Sequence, residues 1–459
     1  MGVGVGITEI KSLAKKYSIS GPRYTSYPTA PQWTETFDAE KYRARLATVK
    51  SDLPFAMYVH IPFCEALCYY CGCNIQITKD HGRSGSYVEA LIAEMKAVAS
   101  AIPFRASLSQ VSWGGGTPTF LTVSEIARLY AGLKEHFDVA KEAEVSIEID
   151  PRVTSDEQLA LLRGLGFNRV SLGVQDFNPE VQKAVNRVQP EEMTEKMLRT
   201  CRELGYSGIN FDLIYGLPHQ TLASFQKTVD SIVRIRPDRI ALYNYAHLPA
   251  LRPHQKILDA LPKPEADERL EIFTTAYDRL LKAGYRSIGM DHFALPEDEL
   301  SIALDKGTLY RNFMGYTVKR GAGLIGIGAS AIGEIAGAYV QNIREAKPYE
   351  EAVEKTGFSV FRGFTLSEED RRRQWIIQNL MCRFELSYAE YRERFGGDFE
   401  SLYDEELSAV EKFVPDGIVS VDEHSIRVTE TGRLFARNLA MAFDAYLKSP
   451  SSASYSKTV

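Results

Sequence analysis

The sequence predicts an α/β fold with a parallel sheet, followed by a smaller and mostly helical domain. Six apolar runs of the kind that form buried strands alternate with six segments of helical period. The runs cover 55–61, 108–113, 144–149, 168–174, 208–214 and 239–245, and the helical segments cover 85–100, 123–136, 155–165, 191–205, 221–236 and 265–284. Strands joined through helices make right-handed crossovers and become parallel neighbours. Six units are fewer than the eight of a closed barrel, so the pattern fits either an open doubly wound sheet or a curved, incomplete barrel.

The segment before the first strand predicts a strap and a helix. The helix is expected over 39–49. Before it, Pro22, Pro28 and Pro31 lack backbone donors and restrict φ, which predicts an extended strap without regular structure. The predicted organisation is an N-terminal strap and helix (1–50), a catalytic partial barrel with its extension (51–345), a linker (346–364) and a helical cap domain (365–459).

The C-terminal domain is expected to resemble a winged helix. Helices are predicted over 367–383, 387–395, 400–413 and 430–446, around a β-rich piece at 418–428. Such a fold raises the possibility of a DNA-binding role, with the run Arg371–Arg373 as the candidate contact. This run follows three acidic residues and contains no aromatic residue, so it is interpreted as a solvated helix face.

Composition narrows the classes of function. The chain has 459 residues, of which 44% are hydrophobic and 25% charged, as in ordinary globular proteins. A net charge of −6 gives no support to nucleic-acid binding. The N-terminus lacks the pattern of a secretory signal, and the run 324–340 is too short and too polar to span a bilayer. Six cysteines, four of them on one loop, do not form a disulfide framework, so the expected compartment is the reducing cytoplasm, with Cys201 and Cys382 as buried thiols.

Four cysteines stand within ten positions directly after the first strand. Cys64, Cys68 and Cys71 have the spacing Cys-x3-Cys-x2-Cys, and three thiolates on one short loop can hold three irons of a cubane cluster. The fourth iron then lacks a cysteine from this triplet. Zinc is the competing metal, but a structural zinc site needs four ligands and no second ligand pair follows downstream. Cys73 follows Cys71 so closely that closing a tetrahedron is awkward. The spacing therefore favours an iron–sulfur cluster over zinc or a disulfide.

The cysteine spacing and its surroundings resemble the cluster loop of radical S-adenosylmethionine (SAM) enzymes. Within that superfamily the resemblance is closest to the oxygen-independent coproporphyrinogen III dehydrogenases, the anaerobic coproporphyrinogen III oxidases of haem synthesis. Three features carry it: the lead-in Tyr58–Phe63, the extra Cys73, and the N-terminal stretch Gly21–Ala30. Similar phrases recur to about residue 345, with weaker likeness beyond. Of the two sheet architectures, the resemblance implies the incomplete (β/α)6 barrel.

The resemblance also implies a reaction. A [4Fe-4S] cluster on Cys64, Cys68 and Cys71 binds SAM at its open iron, and a second SAM lies beside the first. An electron from the cluster cleaves SAM to methionine and a 5′-deoxyadenosyl radical, which abstracts a hydrogen from the β-carbon of a propionate. Loss of CO2 and one electron gives a vinyl group, and two such events convert coproporphyrinogen III to protoporphyrinogen IX. The implied partners are the tetrapyrrole and an electron donor such as a flavodoxin- or ferredoxin-like protein, with the enzyme itself a monomer.

Unusual residues follow the strands at the edge where parallel strands end. Gly114, Gly115 and Gly116 precede Thr117 after the second strand, and glycines let a backbone approach a ligand closely, although a simple tight turn also explains them. Glu148, in the third strand, can accept from a ribose hydroxyl or an ammonium group. The resemblance implies that SAM contacts Tyr58, Tyr70, Gly115, Gly116, Thr117, Glu148, Gln175, Arg187, Asp212, Ala246 and Ile332. Without it, surface roles for Gln175, Arg187 and Asp212 are favoured.

The carboxylates of the implied substrate require cationic or hydroxyl partners, and a guanidinium can bind a carboxylate through two bonds. The candidates are Arg23, Tyr24 and Tyr27 in the strap, together with His292, Arg311 and Tyr316 further on. The strap and the C-terminal domain are expected to act as lids. Two positions depart from the family pattern: Met314 stands where a glutamine is usual, and Gly323 stands where an acid is usual. The substrate pocket is therefore the part in which this chain is expected to differ.

Three alternatives to this interpretation remain at this stage. Gly326–Ala331 matches the dinucleotide fingerprint Gly-x-Gly-x-x-Ala, but no acid is suitably placed about twenty residues later, so packing of small residues is favoured. A paralogue could act on haem or another tetrapyrrole, including by methyl transfer. A haem-binding chaperone of the same lineage is the third alternative, although those chaperones look shorter at the N-terminus and lack the Cys-x-Cys of Cys71 and Cys73.

Overall fold

The computed structural model describes residues 7–50, 53–448 and 455–458, with side chains described for 9–50, 53–447 and 455–458. The chain divides into two compact units. The larger unit comprises Trp33–Glu265 and Lys319–Thr365, and the smaller takes its described residues from Met1–Gln32, Ala266–Val318 and Leu366–Val459. None of the helices in these described ranges is long and apolar enough to cross a membrane.

The helices and strands are numbered in chain order. The helices are α1 Ile7–Tyr17, α2 Ala39–Leu46, α3 Arg83–Ala101, α4 Val123–His136, α5 Asp156–Leu165, α6 Pro179–Ala184, α7 Glu191–Glu203, α8 Leu222–Ile235, α9 Ala266–Lys282, α10 Glu299–Asp305, α11 Ala346–Thr356, α12 Glu368–Gln378, α13 Tyr388–Phe395, α14 Phe399–Leu402, α15 Asp404–Glu411 and α16 Ala436–Ala442. The strands are β1 Phe55–Ile61, β2 Phe63–Cys64, β3 Gln76–Ile77, β4 Ser107–Gly115, β5 Asp138–Ile149, β6 Arg169–Gln175, β7 Gly208–Tyr215, β8 Arg239–Asn244, β9 Arg286–Gly289, β10 His292–Ala294, β11 Tyr310–Asn312, β12 Gly315–Thr317, β13 Gly323–Ile327, β14 Ile332–Ile335, β15 Ala338–Asn342, β16 Val360–Thr365, β17 Glu385–Ser387, β18 Val419–Val421 and β19 Ser425–Val428.

The larger unit is built on one sheet with the strand order β16-β15-β14-β13-β1-β4-β5-β6-β7-β8. The six strands predicted from the sequence are present as β1, β4, β5, β6, β7 and β8, and all pair in parallel. The predicted six-unit incomplete barrel is therefore confirmed. One further parallel strand, β13, pairs with β1 on the other side, and β14, β15 and β16 continue from it as antiparallel neighbours.

Burial on both faces explains why the strands read as continuous apolar runs. Six of the seven residues of β1 are buried. Helices on the outside are started by local side chains, with reciprocal capping boxes at Thr122 and Glu125 before α4 and at Ser155 and Gln158 before α5. In parallel sheets of this kind ligands bind at the carboxyl ends of the strands.

A buried carboxylate links α3 to the segment that matches the dinucleotide fingerprint. Glu94, 1% exposed, accepts hydrogen bonds from the backbone N–H of Gly328 (2.8 Å), the Asn342 amide (2.7 Å) and the Tyr349 hydroxyl (2.6 Å). Burial raises the pKa of Glu94 to about 7. The fingerprint requires a helix after the strand, but here β14 follows β13, and a carboxylate lies where a phosphate would bind. Close packing explains the small residues, since a Cβ on Gly326 would lie 2.6 Å from the Ile332 carbonyl group.

The prediction of a linker over 346–364 is wrong. This segment contains α11 and most of β16, which pairs with β15. Tyr349 and Val353 on α11 are buried, so the charged residues between them mark the exposed face of an amphipathic helix. The single catalytic segment expected over 51–345 also differs from the structure, because Ala266–Val318 belongs to the smaller unit.

The smaller unit collects the strap, the segment from α9 to β12, and the C-terminal elements. Helix α1 packs against α9, with an ion pair between Lys11 and Glu271 (2.9 Å). The β11–β12 hairpin and the antiparallel pair β9–β10 follow α9 in the chain. The C-terminal part contains the three-stranded sheet β17-β19-β18 with helices α12 to α16, which agrees with the predicted winged-helix-like arrangement.

Side chains of the C-terminal part hold the strap, which has no regular structure up to Thr29, as predicted, and then forms a short 3-10 helix at Ala30–Gln32. The Arg437 guanidinium, whose residue is 4% exposed, donates to the carbonyl oxygens of Gly21, Pro22 and Lys457. The arginine run of α12 is only partly the solvated face that the sequence suggested. Arg373 pairs with Glu406 (3.0 Å) and its side chain is 13% exposed.

Candidate cluster and cofactor site

The cysteine loop (residues 62–74) leaves the carboxyl end of β1 and contacts the Gly-rich turn after β4. The N–H of Gly116 donates to the Ile61 carbonyl oxygen, and the N–H of Thr117 donates to that of Phe63, both at 2.8 Å. Strand β2, within the loop, pairs with β3. Backbone bonds therefore hold the cysteines against the glycine turn.

One cavity collects most of the candidate residues. It is lined by Cys64, Cys68 and Cys71 and by eight of the expected SAM contacts, namely Tyr70, Gly115, Gly116, Thr117, Glu148, Gln175, Arg187 and Asp212. They come from the ends of β1, β4, β5, β6 and β7 and the segments that follow them, as expected for a parallel sheet.

Three expected contacts do not line this cavity. The Tyr58 hydroxyl is 3.1 Å from His60 Nδ1. Ala246 is exposed, and its carbonyl oxygen accepts from the Gln255 amide at 3.2 Å. Ile332 lies on β14 opposite Gln341 of β15.

The three glycines after β4 are required by close contacts. A Cβ on Gly114 would lie 2.7 Å from the Glu148 carboxylate, and one on Gly116 would lie 2.6 Å from the Pro62 carbonyl oxygen. Gly115 has φ +118°, a conformation that side chains disfavour. The turn therefore brings bare backbone to the cavity wall next to Cys64.

Two carboxylates face the cavity from β5 and β7, the two strands that flank β6. Glu148 accepts from the N–H of Gly115 at 3.1 Å, and burial, reinforced by the nearby charge of Asp212, raises the pKa of Glu148 to about 7. Asp212 accepts from the Ser171 hydroxyl (2.9 Å) and the Asn210 amide (3.0 Å), and burial also raises its pKa. This side of the cavity offers acceptors for hydroxyl or ammonium groups.

The three thiols of the triplet have different environments. Burial raises the pKa of Cys64 to about 12, while a hydrogen bond with the Cys73 thiol lowers the pKa of Cys71 to about 7. The Cys64 sulfur lies 3.4 Å from the Thr117 hydroxyl. Cys68 is the most buried of the three and lies beside two arginines.

Asp150 and Arg152, which the sequence analysis did not select, complete the arginine side of the cavity. Arg152 Nη2 is 2.6 Å from the Asp150 carboxylate and 3.5 Å from the Cys68 sulfur. Arg187 Nη1 is 3.0 Å from the same carboxylate and 3.7 Å from the same sulfur. The available signal was position alone, because Asp150-Pro151-Arg152 directly follows β5.

His60 connects β1 to the end of the cysteine loop. Its Nε2 is 2.9 Å from the Asn74 carbonyl oxygen. Since a carbonyl only accepts, Nε2 carries the proton and Nδ1 accepts from the Tyr58 hydroxyl. Burial lowers the pKa of His60 to about 4, so the ring is neutral at physiological pH and holds the loop through a hydrogen bond rather than a charge.

The segment after β8 holds the other side of the cysteine loop. Three consecutive loop carbonyl oxygens accept side-chain bonds: Gln255 donates to Tyr70 (2.9 Å), His254 to Cys71 (2.8 Å) and Arg252 to Gly72 (2.9 Å). Gln255 is 1% exposed. Sequence reasoning missed these residues because nothing in their local pattern indicates a partner about 180 positions earlier.

The candidate substrate residues lie in the smaller unit and form two groups. Tyr24 and Tyr27 are buried: the Tyr24 hydroxyl donates to Asp444 (3.0 Å), and the Tyr27 hydroxyl accepts from the N–H of Ala445 (3.1 Å). Both tyrosines therefore attach the strap to the C-terminal segment within this unit, and neither hydroxyl is directed to solvent.

Arg23, His292, Arg311 and Tyr316 form the second group. Arg23 pairs with Asp291, and Arg311 Nη1 donates to the Arg23 carbonyl oxygen at 2.6 Å. The Arg311 guanidinium lies 5.5 Å from the ring centre of Tyr316, whose other neighbour is the His292 ring at 5.3 Å. Two guanidiniums, a histidine and a tyrosine thus form one cluster.

One of the two departures from the family pattern has a local explanation, whereas nothing in the structure explains the methionine at 314. Gly323 lies opposite Ile335 at the start of β13, where a Cβ would meet the Glu334 carbonyl oxygen at 2.4 Å, so an acidic side chain has no room. Met314 lies in the turn of the β11–β12 hairpin, and its N–H donates to the Asn312 side chain at 2.8 Å. The chain thus needs a glycine at 323 for sheet pairing.

The donor set fits an iron–sulfur cluster with an organic cation beside it. Three thiols, none in a disulfide, share one cavity. Within the described ranges, no three side chains of His, Cys, Asp and Glu are arranged to hold a single metal ion. Arg187 Nε, in the cavity wall, is buried without a hydrogen-bond partner among the described residues. A bound group that supplies acceptors would satisfy it.

Comparisons with known proteins agree on one family. Residues 58–232 match the model of the radical SAM superfamily, and residues 366–435 match that of the HemN C-terminal domain. The oxygen-independent coproporphyrinogen III oxidase of Pseudomonas aeruginosa is 43% identical over 450 residues, covering 97% of this chain and 98% of the relative. Its counterpart from Escherichia coli K12 is 44% identical over 439 residues, covering 95% of each.

The solved structure of coproporphyrinogen III oxidase from Escherichia coli, described as a radical SAM enzyme, superposes with a TM-score of 0.90 at 41% identity. The match covers 95% of this chain and 98% of that one. The similarity therefore extends over both compact units of the fold.

Proposed function

Because the chain belongs to the oxygen-independent coproporphyrinogen III oxidases of the radical SAM superfamily, we propose that the cavity at Cys64, Cys68 and Cys71 is its cluster and SAM site. The chain is an oxidoreductase of haem synthesis that uses a [4Fe-4S] cluster and SAM. Its reaction is the oxidative decarboxylation of two propionates of coproporphyrinogen III to vinyl groups, giving protoporphyrinogen IX.

Cys64, Cys68 and Cys71 would hold three irons of the cluster, which would leave the fourth iron for SAM. When bound, the cluster supplies the electron that generates the deoxyadenosyl radical from SAM. The contribution of the protein is to fix the loop: Gln255, His254 and Arg252 hold its carbonyl groups on one side, and the Gly-rich turn holds it on the other. A rigid loop keeps the ligands pre-organised for the cofactor.

SAM binds along the cavity wall beside the cluster. The bare backbone of Gly115 and Gly116 offers polar groups to the methionine part, and Glu148 accepts from its ammonium or from a ribose hydroxyl. Gln175, Arg187 and Asp212 line the same cavity and complete the SAM contacts, some of them with a second SAM molecule. The observation that supports this assignment is that one cavity joins these residues to the three thiols.

Arg23 and Arg311 bind carboxylates of the tetrapyrrole. Arg23 is partly exposed, with 35% of its side chain accessible, and Arg311 supports its backbone. Changing Arg23 to Met should raise KM for coproporphyrinogen III about tenfold or more, since a charge-assisted bond to a carboxylate contributes about 1.5–3 kcal/mol. The exposed Arg371 of the same unit, changed to Met, is the matched control. An unchanged KM for the Arg23 variant would reject the assignment.

The central experiment follows each product separately. The protein is reconstituted anaerobically with iron and sulfide, then supplied with reductant, SAM and coproporphyrinogen III, and the products are analysed by mass spectrometry. The expected result, per tetrapyrrole, is the loss of two CO2 from the substrate and the formation of two 5′-deoxyadenosines from two SAM molecules. Methylated tetrapyrrole, or SAM cleavage without vinyl formation, would reject this function.

The electron enters through a small redox protein of the flavodoxin or ferredoxin type, in the cytoplasm, and the enzyme acts as a monomer. The observation that supports the electron route is that Gly72 and Cys73, directly after the ligand Cys71, are exposed, and a Cβ on Gly72 would meet nothing within 4 Å. A bulky residue there can be accommodated but would obstruct a protein donor.

Changing Gly72 to Leu tests this route. Turnover driven by a reduced redox protein should fall severalfold, while turnover driven by dithionite, a small molecule, should not change. Equal effects on both would refute the entry route. Sedimentation of the reconstituted protein tests the monomer, and a stable dimer would contradict it.

A further inference from the structure

Cys68 differs from the other two cysteines of the triplet in having cationic neighbours. Arg152 Nη2 donates to its sulfur at 3.5 Å and Arg187 Nη1 at 3.7 Å. By contrast, the Cys64 sulfur lies beside a neutral hydroxyl, that of Thr117. One corner of the triplet therefore carries charge-assisted hydrogen bonds.

The geometry of both arginines is set by one carboxylate. Arg152 makes paired bonds to Asp150 through Nε (3.0 Å) and Nη2 (2.6 Å), and its own backbone N–H donates to the same carboxylate at 3.0 Å. Arg187 Nη1 reaches Asp150 at 3.0 Å, and its Nη2 donates to the Gly173 carbonyl oxygen at 2.7 Å. The side chains are 18%, 10% and 8% exposed for Arg152, Asp150 and Arg187, so solvent screens them weakly.

The charges of this group do not cancel. Two guanidiniums against one carboxylate leave one net positive charge beside Cys68. Further contacts fix the orientation of the Arg152 guanidinium. Its Nη1 lies 3.4 Å from the Asn186 carbonyl oxygen, and the side-chain amide of Asn186 donates to the Leu67 carbonyl oxygen in the cysteine loop at 2.8 Å. A fixed positive charge next to a cluster ligand favours whichever cluster state carries more negative charge.

We propose that Arg152 is a positioning residue that sets the reduction potential of the cluster by directing positive charge at the sulfur of Cys68. The negative charge of Asp150 partly offsets this effect. This inference rests on the proposed assignment of Cys64, Cys68 and Cys71 as cluster ligands. Reduction adds one electron, taking [4Fe-4S]2+ to [4Fe-4S]1+, and the charge of Arg152 stabilises the added electron. The potential of the enzyme is therefore higher than that of the same cluster without Arg152.

The test measures the potential rather than activity. Arg152→Met removes the positive charge and the hydrogen-bond donors at similar side-chain length, and Arg152→Lys keeps the charge. Asp150→Asn removes the negative charge while keeping an oxygen that accepts from the backbone N–H of Arg152. Each protein is reconstituted with iron and sulfide without SAM, and the cluster is titrated with dithionite as electron source while EPR follows the reduced state. Iron content is measured in parallel, since about four irons per chain test the ligand assignment independently of Arg152.

An arginine–aspartate pair at the amino end of β5, whose carboxyl end leads into Asp150, serves as control. Arg105 bonds Asp138 at 2.7 Å and donates to the carbonyl oxygens of Lys134 and Glu135, so it repeats the chemistry of Arg152 away from the cysteines. Arg105→Met and Asp138→Asn should leave the potential unchanged.

The expected shifts have opposite signs. Arg152→Met should lower the ratio of reduced to oxidised cluster at a given solution potential about tenfold, which for one electron is about 59 mV more negative. Arg152→Lys should recover most of this shift, and Asp150→Asn should move the potential to a more positive value.

Two results would overturn the proposal. One is a fully loaded Arg152→Met protein with the wild-type potential, and the other is an equal shift in the Met and Lys variants. If Arg152→Met fails to hold four irons, the Asp150→Asn protein decides, and the absence of a positive shift there overturns the proposal as well.

Discussion

The buried carboxyl of Glu94 makes the stability of the larger unit depend on pH. It lies on α3 and holds the turn after β13 through the N–H of Gly328. Changing Glu94 to Gln removes the titrating group while keeping its size. All three partners of Glu94 donate hydrogen bonds, so the amide nitrogen of the glutamine, itself a donor, faces another donor. The variant therefore loses stability by an amount that does not depend on pH.

The magnitude follows from the shift in pKa. Burial raises the pKa of Glu94 from the ordinary 4.5 to about 7. Between these values the folded state binds more protons than the unfolded one, so stability falls as the pH rises. The full penalty, reached above the folded pKa, is about 3.4 kcal/mol, since each unit of pKa corresponds to about 1.36 kcal/mol. About 1.4 kcal/mol of it is present at pH 5.5, so wild type loses about 2 kcal/mol between pH 5.5 and pH 8 through this group.

Urea unfolding at those two pH values, under reducing conditions, measures the effect. Replacing Trp375 with Phe leaves Trp33 and Trp113, both buried in the larger unit, as fluorescence reporters. In that background, the difference in free energy of unfolding between wild type and Glu94→Gln should change by about 2 kcal/mol between the two pH values. Glu89→Gln, an exposed change on the same helix, is the control and should show no such difference.

Equal pH slopes for wild type and Glu94→Gln would refute the reasoning, because the carboxyl would then be ionised in the fold over the whole range.

Three further predictions concern the site. Cys68→Ser should abolish binding of four irons per chain, whereas Cys201→Ser, at a buried thiol of α7, should retain them; iron and sulfide analysis decides, and a loaded Cys68 variant would contradict the ligand assignment. Gln255→Ala should speed loss of the cluster to a chelator by about tenfold, since its amide bonds the loop carbonyl of Tyr70 and the carbonyl of Ala246 at about 0.5–1.5 kcal/mol each, and an unchanged rate would exclude this support. Gly114→Ala should weaken SAM binding at least about tenfold, because the new methyl group would lie 2.7 Å from the Glu148 carboxylate and displace it. Equilibrium dialysis on protein with full iron content measures the affinity, and the wild-type value would contradict the contact between Glu148 and SAM.

The alternation of strands and helices could be predicted from the sequence because it depends on local periodicity. Each predicted strand lies within two residues of an observed one at its carboxyl end, since an apolar run ends where the buried sheet ends. The segment from α11 to β16 was missed because its pattern contains no continuous apolar run. Its charged residues cover one face of a helix, and the partner of its strand, β15, is identified only by the folded sheet.

The candidate site divides in the same way. Cys64, Cys68 and Cys71 are close together along the covalent chain, so the sequence by itself determined that three thiols share one loop. The grouping of Arg152 and Arg187 at Cys68 was decided only by the tertiary structure, as were the bonds from the segment after β8 to the loop. A single polar side chain leaves no periodic pattern in the sequence. Its partner depends on which distant segments the folded sheet brings together, so its role can be seen only in the folded chain.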